Sequence, residues 1–147
     1  MLRDRNQLIP ILFRYFMAAS LMSQEFYKHL GDAKDTKIHN GDPMAFMVSK
    51  AGLKMCLWYG MLHVVIEGYK AAKLTDPTID RLIASPNTEL LKQFRNGMFH
   101  FQQDHWLPAK FSGFFVPKNR TVEWVNKLTS ELRRFLIAEM NQISEKP

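Results

Sequence analysis

Cysteine is nearly missing from this chain of 147 residues: Cys56 is the only one. A lone thiol excludes an internal disulfide framework and any four-cysteine zinc site, and it fits a reducing compartment, the cytoplasm. Long hydrophobic runs are also scarce. The longest, residues 55–66, already contains His63 and falls short of the roughly 20 apolar residues a membrane span needs. The opening MLRDRNQLIPILFRYF does not read as a secretory leader, because Arg14 interrupts its apolar stretch. Neither G-x-x-x-x-G-K-[ST] nor G-x-G-x-x-G occurs, so the common phosphate loops are excluded. G-x-S-x-G and H-E-x-x-H are missing too, which removes the hydrolase elbow and the zincin signature. No repeat or low-complexity tract interrupts the chain, and patterning for strands is almost nil.

What is present is ordinary globular material. The apolar fraction is 46% and the charged fraction 23%, in a length that suits one domain over residues 1–147. The formal charge of +6 is a modest cationic surplus. It suits a polyanionic partner or simple solubility.

Apolar periodicity and helix punctuation predict four main helices. The first spans about 8–30, with Pro10 in its first turn and Gly31 as its stop. Asp42-Pro43 opens a second over about 43–73. From Met55 on, this helix carries a broad apolar arc, which implies burial on most sides. Its narrow opposite stripe holds Cys56, Tyr59, Gly60, His63, Glu67 and Lys70. Asp76-Pro77 marks a short extra helical turn, and Ser85-Pro86 opens a third helix over about 86–103. The following segment, rich in aromatics and broken by prolines, reads as an irregular loop with FSGFFV a weak strand candidate. Thr121 then caps a final helix over about 121–144, with Val122, Val125, Leu128, Leu132, Phe135, Leu136 and Ile143 on its apolar face. The expected fold is an all-α, four-helix-type bundle.

The chemistry concentrates at Arg95-Asn96-x-x-x-His100. Among 8 Arg and 5 His, one fixed Arg–His spacing arises by chance about 0.27 times. Requiring Asn directly after Arg lowers that to about 0.01. On the third helix Leu90, Leu91, Phe94, Met98 and Phe101 form the apolar side, while Gln93, Asn96 and His100 share the opposite stripe at i, i+3 and i+7. Arg95 lies at the edge of that stripe, and Phe99 projects beside it, an aromatic on a polar face that suggests a covering surface. Metal ligation is not expected. His100 and His105 are about 140° apart on a helix, and His63 with Glu67 gives only two ligands.

The Arg95-Asn96-x-x-x-His100 pattern resembles the R-x4-6-H motif of the HEPN superfamily of all-helical domains, and 58–69, WYGMLHVVIEGY, is similar to the apolar central helix of its bacterial members. The resemblance extends loosely over residues 44–140; Gly97 inside the motif is a mild departure. It implies a HEPN-like bundle and metal-independent RNA cleavage without a cofactor, by a homodimer that joins two motifs, in a toxin or defence effector held silent by an antitoxin or another regulatory partner. His100 would act as acid and base, Arg95 as electrostatic stabiliser, and Asn96 would orient His100 or hold a phosphate oxygen.

Glu67 either pairs with Lys70 on its own helix, the reading slightly favoured, or orients Arg95. His63 and Tyr59 are candidate supporting groups, although a polar helix position is the commoner reading of His63. Lys110, Lys118 and Arg120 are candidate RNA contacts, in a stretch, 95–134, with seven basic and three acidic residues. Trp106, Phe111, Phe114 and Phe115 either stack on bases or close the bundle or dimer, the second being favoured. The alternative function is a non-catalytic helical dimer, an RNA-binding or scaffold module that retains the motif.

Overall fold

The computed structural model describes residues 4–30, 43–101, 103 and 117–145, and among them every regular element is helical. The chain forms α1 (Arg5–Leu30), α2 (Pro43–Met47), α3 (Lys50–Ala71), α4 (Pro77–Ile83), α5 (Asn87–Phe99) and α6 (Thr121–Ser144), with a 3₁₀ turn at Pro117–Asn119 before α6. The central element is α3, packed against both α1 and α5, while α6 packs against α1 and α4. The fold class read from the sequence is therefore correct at the level of an all-helical protein. No helix among the described residues is long and apolar enough to cross a membrane.

The first helix begins a turn earlier than expected. Gln7 and Leu8 both donate to the Asp4 carbonyl, at 2.9 and 3.1 Å. Pro10 consequently sits inside the helix rather than in its first turn. The position tolerates it because Asn6, whose carbonyl lacks the usual amide partner, is exposed to water. One face of α1, with Ile9, Leu12, Phe16, Ala19 and Phe26, is buried in the core.

The single helix expected over 43–73 is two. Ser49 interrupts it: its hydroxyl donates to the Phe46 carbonyl at 2.6 Å and accepts from the Gly52 amide at 3.0 Å, an N-cap that starts α3 afresh. The break brings the Phe46 carbonyl over Gly52, where a Cβ would lie 1.8 Å from that oxygen. Only glycine fits. At its other end α3 stops with Lys73 in the left-handed region, φ 52°. Leu74 then donates to the Tyr69 carbonyl and Lys73 to that of Lys70, the two bonds of a Schellman stop. Leu74 is buried, which anchors the reversal despite the lysine at a position glycine favours. The Asp42 and Gly31 signals lie outside the described residues.

Asp76 caps α4 as expected, accepting from Thr78 at 3.0 Å and Ile79 at 3.1 Å, with Pro77 in the first turn. Burial opposes ionisation of this carboxylate, but Arg134, 2.7 Å away, and the two amides more than offset it and hold its pKa below the ordinary value. The last helix starts at Thr121, not after it. Arg120 occupies the cap position in a left-handed conformation, φ 47°, and supplies no side-chain cap. Val122, expected on the apolar face, is 58% exposed; Trp124 is buried in its place, with its indole N–H donating to the Leu82 carbonyl at 3.0 Å. The aromatic loop, including FSGFFV, Trp106, Phe111, Phe114 and Phe115, lies outside the described residues.

Candidate functional site

The narrow stripe of α3 that reads as its polar side is the surface on which α5 docks. Gly60 makes the approach close: a Cβ there would lie 3.4 Å from Arg95 Cα and 3.4 Å from the Phe99 ring. Tyr59 and His63 are buried along this stripe, and so is Cys56, whose Sγ lies 3.9 Å from Met47 Sδ. Tyr59 stands edge-on to Phe94, ring centroids 5.3 Å apart, so its ring belongs to the seam between the two helices. Burial pushes the Cys56 thiol up to about 12 and the Tyr59 phenol well above its ordinary range. Neither group ionises at neutral pH, and the thiol is no nucleophile.

At the rim of this seam the charges meet. Glu67 Oε1 accepts from Arg95 Nη2, so the carboxylate binds the arginine of the neighbouring helix, not Lys70, the partner slightly favoured by sequence. Arg95 Nη1 donates to Asn96 Oδ1 at 2.6 Å. The guanidinium is thus gripped from two sides, while its Nε is buried and has no hydrogen-bond partner among the described residues. Among the described residues, one N–H on each terminal nitrogen is left for an anionic ligand, and 23% of the side chain is exposed.

His63 lies one turn before Glu67, with Nδ1 3.7 Å from the same Oε1. It is 5% exposed, so the expectation of a surface helix position is corrected: α5 covers it. Burial lowers its pKa. Glu67 works against that shift, and Arg95, Lys70 and Lys92 add to it. His63 is accordingly neutral at pH 7.

His100 departs from the expected stripe. The third helix ends at Phe99, short of 103, and His100 is its C-cap with extended backbone, φ −135° and ψ 129°. Gly97, the weakest helix former of the segment, lies in the last turn. Asn96 and His100 are still linked, through the His100 amide and the Asn96 carbonyl at 3.0 Å, but their side chains do not share a helical face. The imidazole is exposed and makes no ion pair or hydrogen bond with another described residue. Phe101, assigned by periodicity to the apolar side, is 94% exposed for the same reason. Phe99 is half committed: its ring touches Gly60, and 43% of the residue remains exposed.

The cluster therefore joins Glu67, Arg95 and Asn96 directly and His63 by proximity, with His100 following at the helix end. Of the candidate RNA contacts, Lys118 is exposed on the 3₁₀ turn, and exposed Arg120 pairs with Glu123 at 2.7 Å; Lys110 lies outside the described residues. Sequence reasoning passed over Lys92, which lies one turn before Arg95 and near enough to His63 to act on its proton affinity. Its i−3 spacing from Arg95 was the available signal. Among the described residues no group of three His, Cys, Asp or Glu is placed to hold a metal ion. Comparison with models of known families, with curated proteins and with solved structures gives no match.

Proposed function

We propose that this chain is a metal-independent endoribonuclease of HEPN type, a bundle-forming cytoplasmic protein that works as a homodimer under the control of an antitoxin-like partner. The observation that carries the reading is Arg95 held by Glu67 and Asn96 near the end of α5, five residues before an exposed histidine. A guanidinium fixed on two sides, with two N–H groups unclaimed by the described residues, is a preorganised binder of a phosphodiester. Its charge stabilises the phosphorane formed when the RNA 2′-oxygen attacks the adjacent phosphorus.

The His100 imidazole takes the 2′-hydroxyl proton as the O2′–P bond forms. The P–O5′ bond breaks, and the departing 5′-oxygen is protonated by a second acid. The products are a 2′,3′-cyclic phosphate and a 5′-hydroxyl. One chain has a single exposed histidine at its motif, so two motifs across a two-fold axis would supply both proton-transfer groups. Half-exposed Phe99, beside Arg95, is the residue such a contact would cover.

The second reading, a non-catalytic RNA-binding or scaffold dimer, has one observation in its favour. Glu67 already compensates the charge of Arg95, as a structural ion pair would. Purified protein incubated with labelled RNA in EDTA decides between them. The expected result is undiminished cleavage leaving cyclic-phosphate ends. Abolition by EDTA refutes the metal-independent mechanism, and RNA binding without any cleavage favours the second reading.

A further inference from the structure

Two nitrogens address one oxygen in this site. Glu67 Oε1 receives Arg95 Nη2, and His63 Nδ1 stands 3.7 Å from that same atom. His63 Nδ1 is buried and has no hydrogen-bond partner among the described residues. Less than about 1 Å separates it from a hydrogen-bonding distance to Oε1. We propose that His63 is a positioning residue for Arg95: neutral, it leaves Glu67 Oε1 to the arginine; protonated, it takes that oxygen and loosens the guanidinium. The consequence for RNA cleavage rests on the function proposed above, whereas the coupling between the two side chains does not.

The charges around the imidazole fix the sign. On α3 it faces Glu67 and Lys70, and on α5 Arg95 and Lys92. Glu67 alone favours the imidazolium; the three cations and burial oppose it. Coupling between sites is reciprocal, so if Arg95 in place makes His63 harder to protonate, a proton on His63 makes Arg95 harder to keep in place by the same factor. Acidification below the ordinary histidine range therefore transfers Glu67 from one helix to the other side chain of its own helix. Among the described residues Arg95 then keeps only Asn96, its sequence neighbour, as a hydrogen-bond partner. A histidine that merely fills space in the seam would show neither response.

The test uses the RNA-free protein and nuclear magnetic resonance of the His63 imidazole and the Arg95 side chain, titrated from about pH 8 to pH 4. In the parent protein the Arg95 signals should move with the His63 midpoint. Arg95→Gln should shift that midpoint upward, and Glu67→Gln should shift it downward. Arg95 signals that ignore the His63 titration overturn the proposal, and this needs no variant to fold. A midpoint unmoved by Arg95→Gln in a folded variant overturns it equally. In cleavage assays two groups shape the acid-side fall of kcat/KM, the proposed base His100 and His63. His63→Gln should remove only the part that tracks the His63 midpoint, and an acid limb identical to the parent's overturns the link to cleavage. An inactive parent protein would refute the ribonuclease and leave the resonance titration to decide the coupling.

Discussion

Replacing His100 by alanine is expected to lower RNA cleavage by about 10²–10⁴-fold with the fold intact, and Arg95→Ala should act on the same scale. His100 is exposed and its imidazole has no partner among the described residues, so its removal costs little packing. Arg95 is a harder case, since its loss leaves Glu67 without its partner. That carboxylate is 43% exposed and can hydrate, and ion pairs open to water contribute little to stability, so the variant should still fold. His29→Ala, on α1, serves as the control and should cleave like the parent. Circular dichroism and melting curves establish the fold, and kcat/KM on a labelled RNA gives the effect. Parent-like cleavage by His100→Ala would sink the mechanism.

Phe94→Ala should have the largest effect on stability, about 3–5 kcal/mol. Phe94 is fully buried and stands edge-on to Tyr59, at 89° between ring planes, where α5 meets α3. Truncation removes most of a ring and leaves a cavity in a seam whose backbones are already in close approach at Gly60. For a chain of this size that corresponds to a fall in Tm of roughly 6–20 °C. Because Phe94 directly precedes Arg95, cleavage should fall below the melting transition as well. Phe99→Ala, half exposed on the same helix, should cost well under half as much by thermal denaturation. Equal destabilisation by the two variants would show that α5 is not anchored through Phe94.

The parts of this fold legible in sequence are those written in local chemistry. Asp76-Pro77 specifies the start of α4 because the cap carboxylate, the two amides and the proline all lie within four residues. The broad apolar arc of α3 announces its central place. The errors arise at breaks and reversals of the backbone that apolar periodicity does not encode. Ser49 breaks the second helix because the Phe46 carbonyl has a place over Gly52, and periodicity contains no trace of that. Lys73 and Arg120 adopt left-handed backbone without glycine or asparagine to advertise it.

The candidate site shows the same division. The Arg95-Asn96 step and the shared face of His63 and Glu67 follow from spacing alone. That Glu67 reaches Arg95, 28 positions away, depends on how α3 and α5 dock, so sequence slightly favoured Lys70, the nearer partner on the same helix. Gly60 was the overlooked signal: a glycine amid larger residues on one helix face marks where a second backbone can approach. It turns an apparently solvated stripe into a buried one.

The contrast between α3 and the end of α5 also bears on how the chain opens. Amides in the middle of α3, near fully buried Leu62 and Val65, should exchange with solvent deuterium only through global unfolding. The last turn of α5 has Gly97 within it and ends on the His100 amide, which donates to the Asn96 carbonyl at 3.0 Å. Its amides should exchange orders of magnitude faster, through local fraying that leaves the rest of the chain folded. Uniform protection along α5 would contradict this. The imidazole proposed for proton transfer thus hangs from the segment expected to fray first, and warming should silence it while Glu67 and His63 are still in place.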